Sequence, residues 1–100
     1  SEEQHKKAAQ DTYKEALKCA KSGNYDLVIC DEINNAVHDG LISKTQLIEL
    51  LEQKSPKTSL CLTGRNFPND LINRVDIATE MTKIKHHFDE KFLANKGIDF

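Results

Sequence analysis

Four consecutive apolar residues, Leu27-Val28-Ile29-Cys30, are framed by Tyr25-Asp26 on one side and by two acids, Asp31-Glu32, on the other. A strand with one wet face alternates apolar and polar residues; a short unbroken apolar run marks a parallel strand buried on both faces. Such a strand belongs in an α/β architecture, with helices covering the sheet on either side. Ser59-Leu60-Cys61-Leu62-Thr63 repeats the theme and is followed by a Gly64-Arg65 turn. A third strand is expected from Ile77 to Met81, running on towards Ile84.

The intervening segments read as helices. In residues 1–22, Ala9, Tyr13, Ala16, Leu17 and Ala20 recur at three- and four-residue spacing, with Lys6, Lys7, Lys14, Lys18 and Lys21 on other faces. Ser43-Lys44-Thr45-Gln46 is a capping box, in which the Ser hydroxyl and the Gln side chain satisfy backbone N–H groups that the helix leaves without partners. Leu47, Ile48, Leu50 and Leu51 give that helix its buried face, and Pro56 stops it. Pro68 opens a shorter helix through Asp70, Leu71, Ile72 and Val75. The tail from Lys85 to Phe100 has no clear period, although Phe88, Phe92, Ile98 and Phe100 are apolar enough to pack down. The alternation predicts one α/β domain over residues 1–100, three-layered, with a mainly parallel sheet and right-handed crossovers.

Composition excludes several functions. Fourteen Lys+Arg against sixteen Asp+Glu give a net charge of −2, with the two signs interleaved. That is not the electrostatic footprint of a nucleic-acid binder. No apolar run approaches the roughly 20 residues that span a bilayer, and the opening Ser-Glu-Glu-Gln-His-Lys-Lys is no secretory signal. A cytoplasmic location follows as the expectation. Cys19, Cys30 and Cys61, odd in number and without a CxxC pair, read as small buried apolar residues.

In open parallel sheets ligands collect beyond the carboxyl ends of the strands. Asp31-Glu32 follows the first strand, Thr63-Gly64-Arg65 the second, and Glu80, Lys83, Lys85 and His86 lie on or beyond the third. Adjacent carboxylates after a buried strand occupy the position where Walker-B acids hold Mg²⁺, a hard cation that takes oxygen ligands. The plainer alternative is that Asp31 caps the next helix and Glu32 is solvated. Thr63 can orient a phosphate or a metal-bound water, and Arg65 can clamp phosphate oxygens with its planar fork. His86-His87 beside Asp89 point to opposite faces of an extended segment and do not chelate one ion, and His5 and His38 lack partners at ligand spacing. Gly23, Gly40, Gly64 and Gly97 are isolated, so neither GxxxxGK[ST] nor GxGxxG is present.

Taken together, Tyr25 to Asn34 (YDLVICDEIN), Leu62 to Arg65 (LTGR), Thr79-Glu80-Met81, Ile84-Lys85-His86 and Lys96 to Phe100 (KGIDF) resemble the second half of the P-loop type corrinoid adenosyltransferases. The resemblance covers about residues 25–100. It implies the C-terminal part of a RecA-like P-loop fold, and transfer of the 5′-deoxyadenosyl group of ATP to a Co(I) corrinoid, cob(I)alamin or a precursor, with release of triphosphate. Asp31 and Glu32 would hold Mg²⁺; Thr63, Gly64, Arg65 and Asn34 would lie against ATP. ATP and the corrinoid are the implied small-molecule partners, a homodimer is an admissible assembly, and neither nucleic acid nor membrane is involved. Asn35 stands where the family usually has an aromatic, and Lys91 where a glycine is common.

The family carries its phosphate-binding loop in an earlier half. The 100 residues are therefore expected to be a fragment cut at Ser1, inactive alone and binding no ligand tightly. In RecA-like sheets the phosphate-loop strand lies between residues 59–63 and the last strand. Without it, direct pairing of those two strands, in a three-stranded sheet in sequence order, is the expectation. A phospho-receiver module, with Asp31, Thr63 and Lys85 at successive strand exits, is the alternative.

Overall fold

The computed structural model describes residues 1–74, 77–79 and 94–100. Helix α1 spans Glu2–Ser22 and is capped by Ser1, whose hydroxyl accepts the Gln4 N–H while the Gln4 side chain reaches back. Strand β1, Leu27–Asp31, leads into a short helix α2, Ile33–His38, and then α3, Lys44–Gln53, which has the anticipated Ser43/Gln46 capping box. Strand β2 is Ser59–Thr63, a 3₁₀-helix covers Asn69–Arg74, and strands β3, Ile77–Thr79, and β4, Asn95–Asp99, complete the order.

All strand pairs are parallel and the sheet order is β3-β2-β1-β4. Direct pairing of the third strand with the second holds, with Cys61 opposite Ile77 and Thr63 opposite Thr79. The three-stranded expectation needs correction, because β4 adds to the other side of β1 over its whole length, Leu27 opposite Asn95 and Asp31 opposite Asp99. The tail hid this strand for a physical reason: of Asn95, Lys96, Gly97, Ile98 and Asp99 only Ile98 is buried, and an edge strand with one buried residue has no hydrophobic period to read. The segment expected to begin a helix at Pro68 forms the tighter 3₁₀-helix instead. Glu80, Met81, Lys83, Ile84, Lys85, His86, His87, Phe88, Asp89, Lys91 and Phe92 lie outside the described residues.

Alternation along the strands divides the core. Val28, Cys30, Leu60, Leu62 and Ile98 share one cluster with Ala9, Tyr13, Ala16, Cys19 and Ala20 of α1, Ile33 and Ala36 of α2, and Leu47, Leu50 and Leu51 of α3. Leu27, Ile29 and Cys61 alternate to the opposite face and are buried as well. Both faces of the central strands are thus withdrawn from water, as the unbroken apolar runs require. The three cysteines are buried and none is in a disulfide. Burial pushes the Cys30 thiol far above its ordinary range, so it behaves as an apolar filler. Among the described residues no helix is long and apolar enough to cross a membrane.

Candidate functional site

Parallel pairing in register brings the carboxyl ends of β1 and β2 to the same edge of the sheet. There the chain leaves β1 through Glu32, which holds a left-handed backbone (φ 64°) and turns it abruptly into α2. A non-glycine residue in that region costs about 1–2 kcal/mol. Surrounding hydrogen bonds hold it.

Thr63, 3% exposed at the end of β2, supplies two of them. Its Oγ1 accepts the Glu32 backbone N–H at 2.8 Å and donates to Asp31 Oδ1 at 2.7 Å. One hydroxyl therefore uses both its acceptor and its donor capacity to tie the two strand exits together, which an isosteric Val could not do. On the other flank, the Phe100 N–H donates to the Asp31 carbonyl at 2.8 Å, so the end of β4 closes against the same acid.

The loop after β2 is laid on the first turn of α2. Asn34, 1% exposed, donates from Nδ2 to the Gly64 carbonyl at 3.4 Å, and the Arg65 N–H donates to Asn35 Oδ1 at 2.8 Å. Asn35 Nδ2 in turn donates to Glu32 Oε2. Gly64 is obligatory here: φ is +117°, and a Cβ would sit 3.0 Å from Asn34 Cβ and 3.0 Å from Asn35 Oδ1. Asn34 Oδ1 is buried and has no hydrogen-bond partner among the described residues.

Above this junction opens a cleft of about 510 Å³, bounded by Glu32, Asn35, His38 and Asp39 on one side and by Gly64, Arg65 and Asn66 on the other. A second cleft of similar size shares Glu32, Asn35 and Asp39 and is closed by the start of α1 and by Leu41 and Phe100. The first is lined by polar groups and carries the exposed Arg65; the second has more apolar walls.

The structure thus assembles Asp31, Glu32, Thr63, Gly64, Arg65 and Asn34 from two distant segments. Asp31 does not cap α2; Glu32 occupies the N-cap position, with no side-chain cap hydrogen bond. Asn34 lies beneath the loop, so it shapes the cleft from below. Lys85, which the receiver alternative needs, lies outside the described residues. Sequence reasoning noted Asn35 only as a departure from the family's usual aromatic and did not count it among the site residues; a further signal is its position three residues after an acid in a helical first turn, a reach that favours side-chain contact.

The donor set bears on a cation. No group of three or more His, Cys, Asp or Glu side chains comes together among the described residues. A closed cage is thereby absent from that part of the chain, whereas Mg²⁺ bound with nucleotide asks for one or two carboxylates and takes its remaining ligands from water and phosphate. Asp31 and Glu32, each oriented by a neutral donor, fit that second requirement.

Comparison with known proteins agrees with the geometry. The family described as ATP:corrinoid adenosyltransferase BtuR/CobO/CobP matches residues 1–100. A corrinoid adenosyltransferase from Sinorhizobium sp is 33% identical over 92% of this chain and 44% of its own length. Those of Escherichia coli K12 and Pseudomonas aeruginosa are 24% and 27% identical, over 93% and 92% of this chain and 47% and 45% of theirs. The chain spans about half the length of the curated relatives it matches. No solved structure matches it. With the acid-bearing strand exit, the Thr-Gly-Arg turn and the family match in agreement, the chain belongs to the ATP:corrinoid adenosyltransferase family BtuR/CobO/CobP.

Proposed function

We propose that these 100 residues are the acid-bearing part of an ATP:corrinoid adenosyltransferase, completed by a phosphate-binding loop that this chain does not contain. The observation that supports the reading is the Thr63 hydroxyl bridging Asp31 Oδ1 and the Glu32 N–H, which ties the acid-bearing exit of β1 to the end of β2, beside a polar cleft lined by Glu32, Gly64 and Arg65. The reaction joins a Co(I) nucleophile to C5′ of ATP: a cobalt–carbon bond forms, the C5′–O bond breaks, and triphosphate leaves with the electron pair. What the protein must supply is alignment of the two substrates and compensation of the leaving group's charge.

Each residue has a part in that scheme. Glu32, with Asp31, would hold Mg²⁺, which when bound neutralises triphosphate oxygens. Arg65 would face the same oxygens, its planar guanidinium matching them in pairs. Thr63, Asn34 and Gly64 set the spacing between the acids and the turn. Three buried cysteines outside disulfides suit a reducing cytoplasm, where ATP is also at hand.

The test is product identity. The complete enzyme given MgATP and a chemically reduced corrinoid should form the alkyl-cobalt chromophore and release triphosphate in equal amounts. Release of orthophosphate or pyrophosphate without the chromophore would contradict the reading.

A further inference from the structure

One side chain spans the cleft between the strand exits without a part in the chemistry outlined above. Asn35, half-buried in the first turn of α2, uses both ends of its carboxamide: Nδ2 donates to the Glu32 carboxylate, and Oδ1 accepts the Arg65 N–H at 2.8 Å. The donor end serves the acid that follows β1. The acceptor end serves the backbone that follows β2, 30 residues away in sequence.

The residue type matters. An amide offers a donor and an acceptor in one plane, an ionised Asp offers acceptors only, and a Leu of similar volume offers neither. Glu32 is exposed, and an exposed Glu left alone distributes over many rotamers; fixing it in advance removes that entropy from the binding step. The fit is close on the other side too. A Cβ on Gly64 would lie 3.1 Å from the Asn35 backbone nitrogen and 3.0 Å from its Oδ1, so the turn passes close against Asn35 with no room for a side chain between them.

We propose that Asn35 is a positioning residue, a carboxamide clamp that fixes the Glu32 carboxylate relative to the Gly64-Arg65 turn, so that the acid and the turn meet MgATP as one preformed surface. Its role in turnover rests on the function proposed above; the clamp itself rests only on the hydrogen bonds. Misplacing a carboxylate by about 1 Å is enough to lower a rate by roughly 10²-fold.

The experiment compares Asn35→Leu and Asn35→Asp in the complete enzyme. Leu removes both hydrogen bonds, whereas Asp keeps the acceptor for Arg65 and loses the donor to Glu32. Amide hydrogen exchange at Arg65 should therefore quicken about tenfold or more in Asn35→Leu and stay near the wild-type rate in Asn35→Asp. Adenosyl transfer at saturating MgATP should fall about tenfold or more in both, and the KM for MgATP should rise in the Leu variant, with thermal midpoints near wild type. Unchanged Arg65 exchange in Asn35→Leu would overturn the clamp. So would wild-type kcat in both variants, or a rate loss explained by a collapsed thermal midpoint. If the wild-type enzyme itself transfers no adenosyl group, the functional reading fails, and the Leu-against-Asp contrast at Arg65 still decides the clamp.

Discussion

Gly64 and Gly40 both have positive φ, yet only one of them is hemmed in. At Gly40 (φ +76°) none of the described residues would come within 4 Å of an added Cβ, so Gly40→Ala should cost only the backbone strain, about 1 kcal/mol. At Gly64 the same methyl meets Asn34 and Asn35 at 3.0 Å, and overpacking adds about 1–3 kcal/mol to the backbone term. Urea denaturation of the two variants should rank them in that order, with Gly64→Ala the weaker by at least about 1 kcal/mol. Equal losses would show that the loop relaxes away from α2. At this scale the sequence made part of the site legible. Acids after one strand and Thr-Gly-Arg after another are readable because strand exits are where ligands collect. Asn35 was not, because its partners are an acid three residues back and a backbone group 30 residues on, and the latter is visible only once β1 and β2 lie side by side.

Helices α1 and α3 meet through an unexpectedly polar contact. The Tyr13 hydroxyl, on a residue 4% exposed, lies 2.6 Å from Glu49 Oε1 and 2.7 Å from the Gln46 carbonyl oxygen. Gln10 and Gln46 exchange amide hydrogen bonds beside it, at 3.0 and 2.7 Å. Burial first, then the hydrogen bond and charge of Glu49, raise the Tyr13 pKa well above its ordinary 10. A folded-state value above the unfolded one means stability that is fully present below pH 10 and is lost as pH climbs from there towards the raised value. The wild type should therefore lose stability above pH 10. Tyr13→Phe should be weaker by about 1–3 kcal/mol at pH 7 and show a flatter decline above pH 10. Denaturation midpoints from pH 7 to 11 check this; parallel declines would contradict it. Both helices were readable from apolar spacing and the Ser43 capping box. Their polar seam was not: Tyr13 reads as one more member of the apolar face and Gln46 as a cap, while Gln10 and Glu49 look like ordinary solvent-facing residues until the helices are docked.

Over the whole molecule, the α/β class followed from two unbroken apolar runs and the helices between them, while the width of the sheet did not. Strand β4 contributes one buried side chain, Ile98, and is held to β1 by register-wide backbone pairing, an interaction with no side-chain signature. That pairing delivers Phe100 to Asp31 and completes the edge on which the acids stand. On the proposed function, this edge carries a catalytically used charge on Glu32. Glu32→Gln keeps the shape and leaves an oxygen for Asn35 to hold, but removes the charge. In the complete enzyme, single-turnover formation of the cobalt–carbon bond at saturating Mg²⁺ should slow by about 10²-fold or more, as expected for loss of a group that stabilises developing charge. The thermal midpoint should stay within about 2 °C of wild type, no more than a loss of roughly 1 kcal/mol produces in a protein of about twice this length. A variant that forms the bond at the wild-type rate would contradict the claim and leave Glu32 as nothing more than the turn between β1 and α2.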